Sequence, residues 1–440
     1  MSPNRERGLS RRDFVTAAVA IGGTSALTAC MEREQSSTGD VTTQSVEDEP
    51  PSSPEFPRGD PETVPTGQHR WGKYLVRDAH GNTVPPQQLV AVGLTYEGSV
   101  PPTAAEREQV ERALETIELA YQWGTGGNAG AAFNRGLLFM LGYAPRYFES
   151  MGEIPSSLTT PEDVLDTVGE DPTKADPYDA ILLLTSDIGS VVLGAEAALF
   201  GEVDEVNGVS VDATFEGVFS KAGRHTGYVG KGLPADKLEE ERIPEDAPLS
   251  MGFKSGFSDN LPAEDAVTLT SGPFAGGSTI ASSTLVIDLD RWYDQRDEER
   301  VAEMFCPAHG TDDVGPTGEK LGSDSGITQE DVDRIEKDAE SYGRVGHTQK
   351  VARARDDEFE ARILRRTEGV ATSQHDGAGF EFNSVQRTIE DFVETRKAMN
   401  PDEYDFDIPA KDHGIVDYLE TVRRGSYLAP PREKRSLPVV

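Results

Sequence analysis

Cysteine is nearly missing from this chain: Cys30 and Cys306 are the only two among 440 residues. With Cys30 committed to another use, no intrachain disulfide can form, and a cysteine-rich metal site or cluster is excluded. Cys306, within Met304-Phe305-Cys306-Pro307, reads as a small buried hydrophobe. Basic residues are also scarce. The 42 Lys and Arg against 78 Asp and Glu leave a formal charge of -36. Such a surface repels nucleic-acid phosphates and anionic lipid headgroups, so neither is expected as a partner. It suits solvation at high salt, where screening shortens the self-repulsion. A membrane-spanning run is missing as well: the mild apolar stretch from Val15 to Leu27 is short and rich in Ala and Gly.

That stretch has a more specific reading. Ser10-Arg11-Arg12-Asp13-Phe14-Val15 is a twin-arginine pattern, and Leu27-Thr28-Ala29-Cys30 is a lipobox. Residues 1–30 are expected to be a Tat signal peptide, with Cys30 the lipid acceptor and the protein anchored on the outer face of the membrane. Residues 31–70 are Ser, Thr, Pro and acid with little that is apolar, and are expected to be a disordered tether.

From Trp71 the pattern becomes that of a folded chain. Gln88 to Leu94, Gly136 to Tyr143 and Ala180 to Leu184 read as strands, and Val211 to Ser220 alternates like a fourth. Thr103 to Tyr121 and Ser190 to Phe200 carry helical spacing. The order strand, helix, strand, then strand, helix, strand is the ferredoxin-like arrangement in an α+β fold. The glycine-rich Gly124 to Gly130 lacks the Gly-Lys-Ser/Thr of a phosphate loop and follows a helix, so it reads as a tight connection. In the second half, Thr328 to Tyr342 reads as a charged helix. Gly379 to Arg387 reads as the last core strand, and Thr388 to Met399 as the closing helix. The tail from Gly425 reads as irregular.

The charged helix delivers the chain to Gly343-Arg344-Val345-Gly346-His347, followed by an Arg-rich run and Ile363-Leu364-Arg365-Arg366. A lone imidazole is the usual protein ligand for haem iron, and an arginine on the open face stabilises negative charge on a peroxide. By itself such a histidine is more often structural. Upstream stand Met251-Gly252-Phe253-Lys254-Ser255-Gly256, Gly142 to Phe148, Asp179 to Asp187, and Gly276-Gly277-Ser278 running to Asp288-Leu289-Asp290-Arg291-Trp292. Together these blocks, spread over about Leu89 to Pro430, resemble the dye-decolorizing (DyP-type) haem peroxidases; the last block resembles the family's strand whose Asp-Leu-Asp-x-Trp ending enters a helix, which implies a helix from about Trp292 to Phe305.

The resemblance implies two ferredoxin-like domains, 71–245 and 246–435, the second binding haem b. It implies His347 as the proximal iron ligand, with Glu358, Glu360 or Asp391 as candidate acceptors for its other nitrogen, and Arg365 over the open iron face. Arg344 and Arg366 become candidates for the haem propionates, and Gly252 and Gly256 for the distal loop. The family's Gly-x-x-Asp-Gly has Ser255 at the aspartate position, and a hydroxyl is a poor base near neutral pH. Ser283, Thr284 and Val286 stand where the family often carries arginines. The implied activity is reduction of hydrogen peroxide with oxidation of an unknown electron donor. The departures keep two other readings open: a haem-handling lipoprotein with little turnover, and a haem-free structural module. Homo-oligomerisation is left open.

Overall fold

The computed structural model of the chain describes residues 56–238, 240–371 and 378–440. The twin-arginine segment, Cys30 and most of the expected tether lie outside them. No described helix is long and apolar enough to cross a membrane.

Eight antiparallel strands form one closed barrel. In chain order they are β1 (Gln88–Tyr96), β2 (Leu138–Tyr143), β3 (Ala180–Ser186), β4 (Phe219–Tyr228), β5 (Ser278–Ile287), β6 (Leu364–Ala371), β7 (Ala378–Gln386) and β8 (Leu419–Ala429). Around the barrel they run β6-β7-β5-β8-β2-β3-β1-β4. Within each half the strands therefore stand in the order 2-3-1-4, the ferredoxin-like order, so the two halves are copies of one topology. The halves join at both edges: β8 pairs with β2 through Leu428 and Tyr143, and β6 pairs with β4 through Val370 and Tyr228. Closure leaves no open sheet edge in the barrel.

Local chemistry explains the first half. Helix α1 (Ala104–Ala120) begins with a capping box between Thr103 and Glu106 and buries Val110, Ala113, Leu114, Ile117 and Ala120, one stripe at helical spacing. It packs against α2 (Gly189–Leu199), which lies on β1 and β3. β2 and β3 are buried at every residue, as their unbroken apolar runs require.

Several sequence expectations change. The fourth strand is Phe219–Tyr228, not Val211 to Ser220; its polar Ser-Lys-Ala-Gly-Arg-His pattern hides it, and pairing with β1 defines it. The helix expected over Trp292 to Phe305 is two, Leu289–Tyr293 and Asp297–Met304, and that over Thr328 to Tyr342 breaks at Arg334. The last core strand is β8, which lies beside β5 along its whole length, so the tail is ordered well past Gly425. Its arginines disguised it. Arg424 meets Glu170 at 2.5 Å, Arg423 donates to the Ala175 carbonyl at 3.3 Å, and beyond the strand Arg435 and Arg432 close on the buried Glu118.

Candidate active site

Helix α3 (His347–Arg353) is seated first by backbone. Gly346 precedes it, and a Cβ at that residue would lie 1.9 Å from the Phe305 carbonyl oxygen, so only glycine permits this approach. The Thr348 hydroxyl donates to the Met304 carbonyl at 2.8 Å, and Gln349 Nε2 donates to Asp338 at 2.8 Å. The Lys350 ammonium donates to the His413 carbonyl at 3.0 Å. These bonds fix His347 at the helix start, where its ring lines a cavity of about 290 Å³. That is near the lower end of the roughly 300–1,000 Å³ usual for cofactor and ligand sites.

Alternate residues of β5 (Ser283, Leu285, Ile287) and β7 (Phe380, Phe382) form one wall of this cavity. α4 (Ile389–Lys397) and the segment around Ser255 close it further. Burial, then the positive charges of Lys350, Arg365 and Arg396, push the His347 imidazole down to about 3, so it is neutral at physiological pH. Its Nδ1 is buried without a hydrogen-bond partner among the described residues. Of the three acids suggested as acceptors, none bonds to it: Asp391 caps α4 at Thr388, and Glu358 and Glu360 are exposed.

Arg365 lines the same cavity, and so does Ser255. Gly252 and Gly256, with φ of 94° and 76°, turn the backbone on either side of Ser255 and take no part in the cavity wall. Arg344 and Arg366 are placed elsewhere. Arg344 pairs with Glu303 at 3.1 Å, Asp412 at 3.4 Å and Glu299 at 3.5 Å. Arg366 turns away from the cavity, its side chain only 3 % exposed, and pairs with Glu264. Both are paired with acids and neither lines the cavity, so neither is placed to meet a ligand there.

Two features escaped the sequence. The cavity's arginines come from neighbouring elements. Arg424, the register partner of Ser283, donates to its hydroxyl at 2.6 Å, and Arg396 reaches in from α4. Both pair with Glu170, at 2.5 Å and 2.8 Å. Burial alone would raise Glu170, but hydrogen bonding and charge from Arg424, then Arg396, hold it at about 2. The second feature is Glu368, which lines the cavity 3.6 Å from Arg365 and accepts a hydrogen bond from Ser255.

Residues 86–431 match one family of unknown function. The chain belongs to DUF7405. No curated protein matches this DUF7405 chain. Solved structures that it resembles include the encapsulated DyP-type peroxidase of Mycobacterium smegmatis, at 14% identity and a TM-score of 0.51, covering 83% of this chain and 99% of that one. DtpA of Streptomyces lividans, solved as an oxyferrous complex, also matches at 14% identity and 0.51, covering 81% and 93%. The DUF7405 chain thus has the fold of the DyP-type peroxidases.

The residues present fit a haem. Among those described, no cluster of three or more His, Cys, Asp or Glu is arranged to hold a metal ion. The apolar walls suit a flat macrocycle; Arg396 and Arg424 also line them, with Glu170 as their shared partner.

Proposed function

We propose that this chain is an exported haem-dependent peroxidase of DyP type, reducing hydrogen peroxide while oxidising a donor yet to be identified. The observation that carries the reading is a neutral imidazole, His347, and a guanidinium, Arg365, in the wall of one cavity. Haem b, when bound, supplies the iron chemistry that accepts oxidising equivalents from peroxide.

The chain's own residues would do the rest. His347 holds the metal through its neutral ring. Arg396 and Arg424, which line the cavity, would meet the macrocycle's carboxylates by giving up part of their pairing with Glu170. Arg365 offers N–H donors to a peroxide oxygen and stabilises the negative charge that gathers there as the O–O bond lengthens. Phe380, Phe382 and Leu285 keep water from the site. Cys30 as lipid acceptor, Tat export and a place on the outer face of the membrane belong to the same proposal, supported by the twin-arginine pattern and the lipobox.

One observation favours a second reading, a haem-handling lipoprotein with little turnover. His347 Nδ1 has no acceptor among the described residues, whereas a ligating imidazole gains basicity from such a partner. The experiment is rapid mixing of haem-loaded protein with peroxide. A peroxidase gives a fast, transient shift of the Soret band, slowed about 100- to 1,000-fold in Arg365→Leu. A band that never shifts supports the handling role. No band at all leaves only the haem-free module.

A further inference from the structure

The strand that carries Arg365 also brings a carboxylate, Glu368, into the cavity wall. β6 pairs with β7 through Arg365 and Ser384, then through Thr367 and Asn383, leaving Arg366 as an extra residue in the ladder. In a regular strand, residues three apart point to opposite faces. The bulge at Arg366 shifts the phase by one, so Arg365 and Glu368 both face the cavity while Arg366 turns to Glu264. Glu368 is 8 % exposed, lies 3.6 Å from Arg365, and accepts a hydrogen bond from the Ser255 hydroxyl.

We propose that Glu368, oriented by Ser255, is the catalytic proton carrier of this cavity. The assignment rests on the haem-peroxidase reading above. The carboxylate takes the proton from one oxygen of hydrogen peroxide and returns it to the other. That oxygen leaves as water with the electron pair of the O–O bond. A bound haem would supply the two electrons and take up the remaining oxygen, which would leave as a second water once the donor has returned two electrons and solvent two protons. Ser255 is a positioning residue: its O–H holds one carboxylate oxygen and leaves the other toward Arg365.

Cyanide tests the proton step without turnover. Hydrogen cyanide binds ferric haem as the anion, so a base in the cavity must first take its proton. The probe is potassium cyanide, mixed with haem-loaded full-length protein and followed at the Soret band. Glu368→Gln should keep the band yet slow cyanide association about 100-fold or more. Glu368→Asp should restore most of the rate, and Ser255→Ala should slow it several-fold. An unchanged rate in Glu368→Gln, with the band intact, overturns the role of Glu368 and leaves the peroxidase reading standing. If Glu368→Gln does not fold, an unchanged rate in Ser255→Ala overturns the Glu368–Ser255 pair. A wild type without a Soret band removes both.

Discussion

Arg365 and Glu368 stand three residues apart on one strand, yet their charged ends meet 3.6 Å apart in the same cavity. The single extra residue, Arg366, makes this so, and its guanidinium is held away by Glu264. A buried arginine that loses its partner is costly. Glu264→Gln should lower stability by about 3 kcal/mol and free the bulge to rearrange. Urea unfolding measures the first effect, and the cyanide association rate reads the second.

Gly346→Ala is expected to unseat α3. The new methyl would meet the Phe305 carbonyl, which is backbone and cannot swing aside. Overpacking of this kind costs about 1–3 kcal/mol, and His347 moves with the helix. The expected outcome is a lower urea midpoint together with weaker haem uptake in titration. A variant with both unchanged would show that the close approach does not position His347.

Much of this site was legible in the sequence, and the illegible part has a physical cause. His347, Arg365 and Ser255 were found because each sits in a local motif, and the structure brings all three to one cavity. Glu368 was missed because period-2 reasoning places it on the opposite face from Arg365, and a bulge leaves no mark in a run such as Leu364-Arg365-Arg366-Thr367-Glu368. Arg424 was missed for a related reason. β8 is rich in polar residues, and only its register with β5 shows that Arg424 lies beside Ser283. Buried β1, β2 and β3, by contrast, announce themselves as apolar runs.

Glu170 sets an acid limit on stability. Its carboxyl is held at about 2, below its ordinary 4.5, so the unfolded chain takes up the proton first. The stabilisation is complete above about pH 4.5 and is lost as pH falls toward 2. It amounts to at most about 3 kcal/mol at 1.36 kcal/mol per pH unit. Urea midpoints between pH 2 and 5 should fall less steeply in Glu170→Gln, which should also be less stable at pH 7 because Arg396 and Arg424 lose their partner.

The C-terminal segment is expected to be indispensable to the fold. Arg435 and Glu118 have side chains only 1 % and 0 % exposed, and Arg432 shares the same carboxylate. Arg435→Ala leaves buried charge poorly compensated and should destabilise by about 3–5 kcal/mol. Thermal unfolding checks this, and a shift within error would show that Arg432 alone satisfies Glu118.

The central claim is that His347 holds an iron porphyrin, and the most direct measurement is the absorption spectrum of protein exported with its native cofactor, beside His347→Ala. The account predicts a Soret band in the wild type and its loss or strong weakening in a variant whose circular dichroism is unchanged. A wild type with no band, or an identical band in His347→Ala, would contradict it.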